Sequence, residues 1–526
     1  MSGLQALQEK NRVTPARRWV RLGGLSGLLL ASLALRLPPL WAHRFHQDEA
    51  LYAAWGLLIS TQRDPMLTRE AVDKPPLFLY ILARFFTWFG PSETVARLPG
   101  LISGVACVAL VFLLARRLYG EGVAWLAAVL FAASPMAILF SATAFTDPVM
   151  LLFGLAASVA AVSGAWLLAG LGVGLSAAIK QQGILWLPLV IALGMTVQAP
   201  CPCRLPFIRR RPSRAWLAQK MALFLAGLAL PIGLAIQWDR WRYLPPERAG
   251  FLKQSAIAYG GLHVLPPAAW WTRLQEWAPW LGDLTASPWL NALLIIGLPW
   301  LAWRAWRQRG QRTARIDLWL LAYASAYLAL HIGVSFQAWD RYLLPLTPIV
   351  ALLGARIIQE AWDEGKHPLA TRGIASLPVL VAAGVTLAIL LAGPARAATR
   401  SELPLGSDHG AYDGIDQAAA FLKSELPPGA VLYHRWLGWH WRFYLYDVLF
   451  NFRYYDSAEA LAADADGPPQ IVRYIVFPGW QLAARDEVQA ALARRGIALN
   501  LRSVTHRDDG SISFLIYRIE RVSPHD

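Results

Sequence analysis

The stretch RLGGLSGLLLASLALRLPPLWAHRFHQDEALY, residues 21–52, decides how the rest of the chain is read. It opens with an apolar run of the length a helix needs to cross the hydrocarbon core of a bilayer, about twenty residues. The run is too long for a removable signal peptide and carries no small-residue cleavage site, so it reads as an uncleaved first span. Behind Pro38-Pro39 it delivers Asp48-Glu49 at the membrane rim, where carboxylates cost free energy unless something pairs or uses them.

The composition agrees with this start. Of 526 residues, 56% are hydrophobic and 16% charged, against roughly a quarter charged in soluble domains. The formal charge of +15 does not indicate nucleic acid, because the basic residues form no stripe with interleaved aromatics. They cluster between apolar runs: Arg12, Arg17, Arg18 and Arg21 before the first, Arg116-Arg117 after the second, Arg209-Arg210-Arg211 with Arg214 after the sixth, and Arg304, Arg307, Arg309, Arg312 and Arg315 after the eighth. That is the positive-inside pattern, and it puts the N-terminus in the cytoplasm. Helices are expected at 19–42, 94–115, 122–141, 148–164, 166–180, 183–198, 217–236, 288–303, 316–335, 342–358 and 374–394. The expected fold is thus an α-helical polytopic protein of the plasma membrane with about eleven spans and its C-terminus outside.

Three non-cytoplasmic segments are long enough to carry function: 43–93, 237–287 and the tail. In the first, the patterns Asp48 to Thr61 and Pro76 to Phe89 predict helices lying in the interface plane, with Trp55, Tyr80 and Trp88 in an aromatic belt. After Pro394, strand-like runs at 429–434, 471–477 and 511–519 alternate with helical ones at 417–426 and 486–495. The predicted organisation is a membrane domain over 1–394 and an extracytoplasmic α/β domain over 395–526.

The chemistry-bearing residues fall on one face of this topology. Asp48 follows the first span, and Asp147 ends the third in Phe145-Thr146-Asp147-Pro148. Carboxylates at the water–lipid boundary suit a general base that deprotonates an acceptor, with a neighbour to orient the nucleophile or bind a cation. Plainer readings compete, with Asp48 as a helix N-cap and Asp147 as a helix start before its proline. Lys74, in Asp73-Lys74-Pro75-Pro76, is a rigidly held phosphate partner or a snorkelling lysine. Arg341, in Trp339-Asp340-Arg341-Tyr342, and Lys180, in Lys180-Gln181-Gln182-Gly183, break the positive-inside trend on the same face. They point to an anionic ligand, or for Arg341 to pairing with Asp340.

The order of these motifs resembles the GT-C glycosyltransferases: an Asp-Glu pair followed by Tyr52, a Lys-Pro-Pro-Leu turn at 74–77, Ala96-Arg97-Leu98-Pro99, the Asp147 loop, Lys180-x-x-Gly183, and Arg341-Tyr342. Over about residues 20–360 it is most similar to the branch with protein O-mannosyltransferases and lipid A aminoarabinose transferases. The resemblance implies a GT-C fold and an inverting transferase that moves a sugar from a polyprenyl-phosphate carrier to a lipid, glycan or protein acceptor outside the cytoplasm. By that resemblance Asp48 matches the catalytic base, and Lys74 and Arg341 match groups that hold the donor phosphate. Glu49, Tyr52, Asp147, Lys180 and Tyr342 would complete the substrate site. Where the aminoarabinose branch usually has Glu before the Lys-Pro-Pro turn, this chain has Asp73.

No Walker loop or dinucleotide fingerprint is present, no nucleotide site is needed, and the sequence establishes no cofactor. A divalent cation stays open as an option, since His43, His46 and His263 lie on the outer face, but their spacing matches no ligand motif and they read as interfacial. Cys201-Pro-Cys203 lacks partner ligands for a metal or redox role. His434 and His440 belong to the tail with Trp436, Trp439 and Trp441, tryptophans for stacking on sugars or for packing. Two other classes stay on the table: a lipid or glycan transporter, and an accessory subunit of cell-envelope glycan assembly.

Overall fold

The computed structural model describes residues 15–198, 213–242, 249–259, 261–371, 376–406, 408 and 410–522; the Cys201-Pro-Cys203 and Arg209-Arg210-Arg211 segment and Arg12 lie outside them. Among the described residues every predicted span falls on helix, with the one over 122–141 bent into two. The bundle is built of α1 (Pro15–Arg36), α4 (Glu93–Tyr119), α5 (Glu121–Ala132), α6 (Pro135–Ser141), α7 (Asp147–Val162), α8 (Trp166–Ile179), α9 (Leu187–Gln198), α10 (Arg214–Trp241), α13 (Pro288–Arg307), α14 (Arg312–Gly333), α15 (Thr347–Thr371) and α16 (Ser376–Thr399). Among the described residues, seven helices are long and apolar enough to cross a membrane alone, or up to nine if each bent pair counts as one. The difference from eleven lies in α7 and α8, of 16 and 14 residues, which fall short of a full span.

Two helices of the first loop, α2 (Gln47–Ser60) and α3 (Leu77–Phe89), form where interfacial helices were predicted. They pack on each other through Gly56, where a Cβ would stand 3.0 Å from Leu82. Trp88 is exposed, as a belt position requires, whereas Trp55 is not. Trp55 is core: it is 2% exposed and meets Trp439 edge to face. Two shorter helices, α11 (Phe251–Ala258) and α12 (Pro267–Asp283), occupy the second long loop.

Glycine permits the closest helix contact. On α8, a Cβ at Gly170 would lie 1.8 Å from the Phe224 carbonyl oxygen of α10; on α10, one at Gly227 would lie 2.1 Å from the Leu167 carbonyl oxygen. The backbones touch, as small residues allow between helices in lipid. At the end of the bundle away from Asp48, Tyr119 donates to Asp317 at 2.7 Å and Arg356 donates to both oxygens of Asp317 at 3.2 Å, tying α4, α14 and α15 together.

The tail carries a five-stranded sheet of order β2-β1-β3-β5-β4, formed by β1 (Val431–His434), β2 (Asn451–Tyr454), β3 (Arg473–Pro478), β4 (Ile497–His506) and β5 (Ile512–Arg521). Strand β1 pairs parallel with β2 and β3, while β5 runs antiparallel to β3 and β4. Helices α17 (Ile415–Glu425) and α18 (Gly438–Tyr444) cover one face, α19 (Ala458–Ala465) and α20 (Leu482–Ala493) the other. This domain sits on the loop that bears Asp48. Asp413 accepts from the Arg44 amide at 2.8 Å and meets His43 at 3.0 Å, the His440 ring nitrogen lies 2.9 Å from the Phe45 carbonyl, and Arg442 pairs with Glu70 at 2.9 Å.

The α8–α10 contact yields a prediction. Gly170→Ala and Gly227→Ala should each lower stability by about 1–3 kcal/mol, the cost of overpacking, read as a fall in thermal midpoint in detergent. Gly27→Ala, whose Cβ would meet nothing within 4 Å, should leave it unchanged.

Candidate active site

The first turn of α2 aims the site. His46 caps it: its Nδ1 accepts from the Asp48 amide at 3.0 Å, and its own amide donates to Glu49 at 3.0 Å. Asp48 is therefore not the N-cap. Its side chain is free of the helix end and accepts from the Arg341 guanidinium at 2.6 Å, with 29% of the carboxylate side chain exposed against 7% for Arg341. Tyr52 is buried one turn further along the same face.

Arg341 comes from a 3-10 turn, Asp340–Leu346, that leads into α15. Its guanidinium lies between the rings of Phe145, at 4.7 Å, and Trp339, at 5.2 Å. Pairing with Asp340 was one reading of this arginine. Asp340 instead accepts from the Arg341 backbone at 2.7 Å and from the Gly406 amide at 2.9 Å, which straps the turn to the chain leaving α16. Burial alone would raise the Asp48 carboxyl; the Arg341 charge beside it and His46 outweigh that and hold it below the usual carboxylate range.

Two further cation–carboxylate pairs stand nearby. Lys180 donates to Asp147 at 2.7 Å and lies 4.4 Å from the Tyr342 ring centroid. Lys74 pairs with Asp73 and donates to the Tyr259 hydroxyl at 2.6 Å. All four of these charged side chains are buried. Lys74, Lys180, Gln182, Tyr259 and Tyr342 line one cavity of about 210 Å³. Beyond Gln181 and Leu252, which the two share, it meets an apolar groove walled by Pro75, Ala178, Ile184, Ile232 and Phe251 between α8, α10 and α11.

Glu49, expected on the substrate, is placed elsewhere. It is 1% exposed and accepts from two nitrogens of Arg97, each at 3.0 Å, from the Ala144 amide at 2.7 Å and from the His46 amide. Four donors engage its oxygens, which ties α2 to α4 and to the loop before α7. Among the described residues no three His, Cys, Asp or Glu side chains converge to hold a metal ion. His43 pairs with Asp413 and His46 serves as the cap. Sequence reasoning missed Tyr259, which sits in a loop without a motif. Of the tail tryptophans, Trp441 is core.

Residues 73–204 match the family model described as dolichyl-phosphate-mannose-protein mannosyltransferase. A Bacillus subtilis (strain 168) protein named "Putative mannosyltransferase YycA" is 29% identical over 175 residues, 32% of this chain but only 23% of that protein's length. ArnT from Cupriavidus metallidurans in the apo state superposes with a TM-score of 0.65 at 16% identity, over 96% of this chain and 98% of that one. The same protein bound to undecaprenyl phosphate gives 0.62. The archaeal oligosaccharyltransferase AglB from Archaeoglobus fulgidus, in complex with an inhibitory peptide and a dolichol-phosphate, gives 0.54 at 13% identity over 95% of this chain and 74% of that one. The chain has the GT-C fold, and the resemblance to GT-C membrane glycosyltransferases expected from the motif order is borne out.

The Glu49–Arg97 pair can be tested apart from chemistry. Glu49→Ala strands a buried guanidinium and should cost about 3–5 kcal/mol, seen as a large drop in thermal midpoint. A midpoint within error of the parent would show that the pair does not hold α2.

Proposed function

We propose that this chain transfers a sugar from a polyprenyl-phosphate carrier to an acceptor on the side of the membrane that holds the α/β domain. The observation that carries the reading is the joining of a cavity bearing two buried ammoniums to an apolar groove open between helices. Such a shape suits a phosphate head with an isoprenoid tail. The relatives support it: one neighbour was solved with undecaprenyl phosphate and another with dolichol-phosphate.

The step follows from the groups present. The acceptor hydroxyl or amine gives its proton to Asp48 as its lone pair attacks the anomeric carbon, and the bond from that carbon to the phosphate oxygen breaks. The phosphate leaves with that electron pair, and Lys74, Lys180 and Arg341 stabilise its charge. One displacement at one carbon inverts its configuration. Before the donor arrives, Arg341 is engaged by Asp48. A phosphate competes for the guanidinium and frees the carboxylate to act as base. Tyr52, Tyr342 and Asp147 shape the pocket and hold its cations.

With labelled polyprenyl-phosphate sugars as donors, Asp48→Asn should lower transfer by about 10²–10⁴-fold while the protein inserts and purifies normally. Retained transfer removes Asp48 as the base. Lys74→Ala should act chiefly on donor KM.

The pH dependence has a defined sign. A carboxylate held low stays charged on acidification, so kcat/KM should show no inflection from Asp48 between neutrality and about pH 4. In Arg341→Gln, burial is left without its counter-charge and the acid limb should move up into that window.

A further inference from the structure

We infer that Gln182 reads the sugar of the donor, its side-chain carbonyl accepting a hydrogen bond from a sugar hydroxyl; this rests on the polyprenyl-phosphate donor proposed above. Gln182 lies in the 3-10 turn Gln181–Trp186 directly after Lys180. Its position is fixed on both sides. Gly183 seats the turn against the end of α8, where a Cβ would stand 2.2 Å from the Ser176 carbonyl carbon, and its amide donates to the Lys180 carbonyl at 2.8 Å. Gln181 donates to the Asp73 carbonyl at 2.8 Å, which ties the turn to the segment bearing Lys74.

Held this way, Gln182 lines the cavity together with Lys74 and Lys180. Its Oε1 is buried and has no hydrogen-bond partner among the described residues. A buried carbonyl left unpaired is costly, so a ligand that donates to it gains what the free protein lacks. The phosphate cannot be that ligand, because its oxygens only accept and would face a like dipole. The two ammoniums match the phosphate; the amide matches a hydroxyl, and its NH2 can return a bond to a neighbouring oxygen of the same ring. The division of labour is chemical: cations for the part common to every polyprenyl-phosphate donor, an amide for the part that differs between them. A site that hydrogen-bonds a substrate hydroxyl rejects analogues lacking it far more strongly than a purely apolar pocket could.

The test uses the full chain in proteoliposomes, with two probes. Bare polyprenyl phosphate measures the phosphate and tail contacts alone. A panel of polyprenyl-phosphate hexoses, with monodeoxy analogues of whichever hexose is transferred, measures sugar reading. Gln182→Leu should bind bare polyprenyl phosphate within about twofold of the parent, yet lose at least about tenfold in kcat/KM for the full donor and most of the discrimination against one deoxy analogue. Gln182→Glu, which keeps an acceptor oxygen at the same place, should retain that discrimination. The assignment is overturned if Gln182→Leu discriminates as the parent does, or if it loses bare polyprenyl phosphate to the same extent as the donor, since either outcome puts Gln182 outside sugar recognition. A parent protein that binds no polyprenyl phosphate fails differently: it removes the donor reading itself, and this inference with it.

Discussion

The site depends on Arg97. Its guanidinium, wholly within the protein, uses two nitrogens on Glu49 and a third on the carbonyls of Leu40 and His43, at 2.8 and 2.9 Å. Desolvating two full charges is expensive, and such a pair persists only where further hydrogen bonds use the remaining donors and lone pairs. Here Ala144 and His46 complete the set on Glu49. Four pieces of chain are thereby indexed to one another: the turn after α1, the start of α2, α4 and the loop before α7. Asp48 is the residue immediately before this anchor on α2, so its direction is set by Glu49's.

That anchor makes sense of the charge pattern at the cavity lined by Lys74 and Lys180 and beside it, where Arg341 and Asp48 lie outside the lining. Arg341, Lys180 and Lys74 each have a carboxylate of their own, in Asp48, Asp147 and Asp73. Three buried cations without counter-charges would not stay buried in the free protein. With them, the three pairs are neutral, and the phosphate of the proposed donor would enter by taking over a partner's place. Asp48 is the most exposed of the three carboxylates. Its release therefore costs least, which fits the group whose chemistry needs a free lone pair.

How much of this was legible in the sequence differs by scale. Helix positions were, because apolar length is a one-dimensional property; the bend between α5 and α6 at Ala133-Ser134 was not, since it falls inside the apolar run expected as one helix over 122–141. Strands β1, β3 and β5 were legible as buried apolar runs, whereas β2, with its exposed Asn451-Phe452-Arg453-Tyr454, carries no alternation to read. In the site, the charge rule brought Asp48, Asp147, Lys74, Lys180 and Arg341 to one face, but it could not say which pairs with which. Asp48 and Arg341 are 293 residues apart, and only packing joins them. The pairing of Glu49 with Arg97 was not legible either, because adjacent carboxylates look alike in sequence; on a helix they point about 100° apart. Tyr259 and Gln182 were invisible because a neutral side chain violates no rule at a membrane rim.

The shortness of α7 and α8 belongs to the same argument. At 16 and 14 residues they are about 24 and 21 Å long, against a hydrocarbon core of about 30 Å. Asp147 begins α7 and Lys180 follows α8 directly, so the shortfall sets these two charges inside the bundle rather than above it. A lipid-linked phosphate stays at the depth its tail allows. A full-length helix pair would lift Asp147 and Lys180 clear of that depth, and the donor would have to leave the bilayer to reach them. With the pair cut short, the cations lie at the depth where the lipid would hold the phosphate of the proposed donor. Under the same proposal the apolar groove beside Gln181 is the side entrance, with no isoprenoid surface exposed to water on the way in.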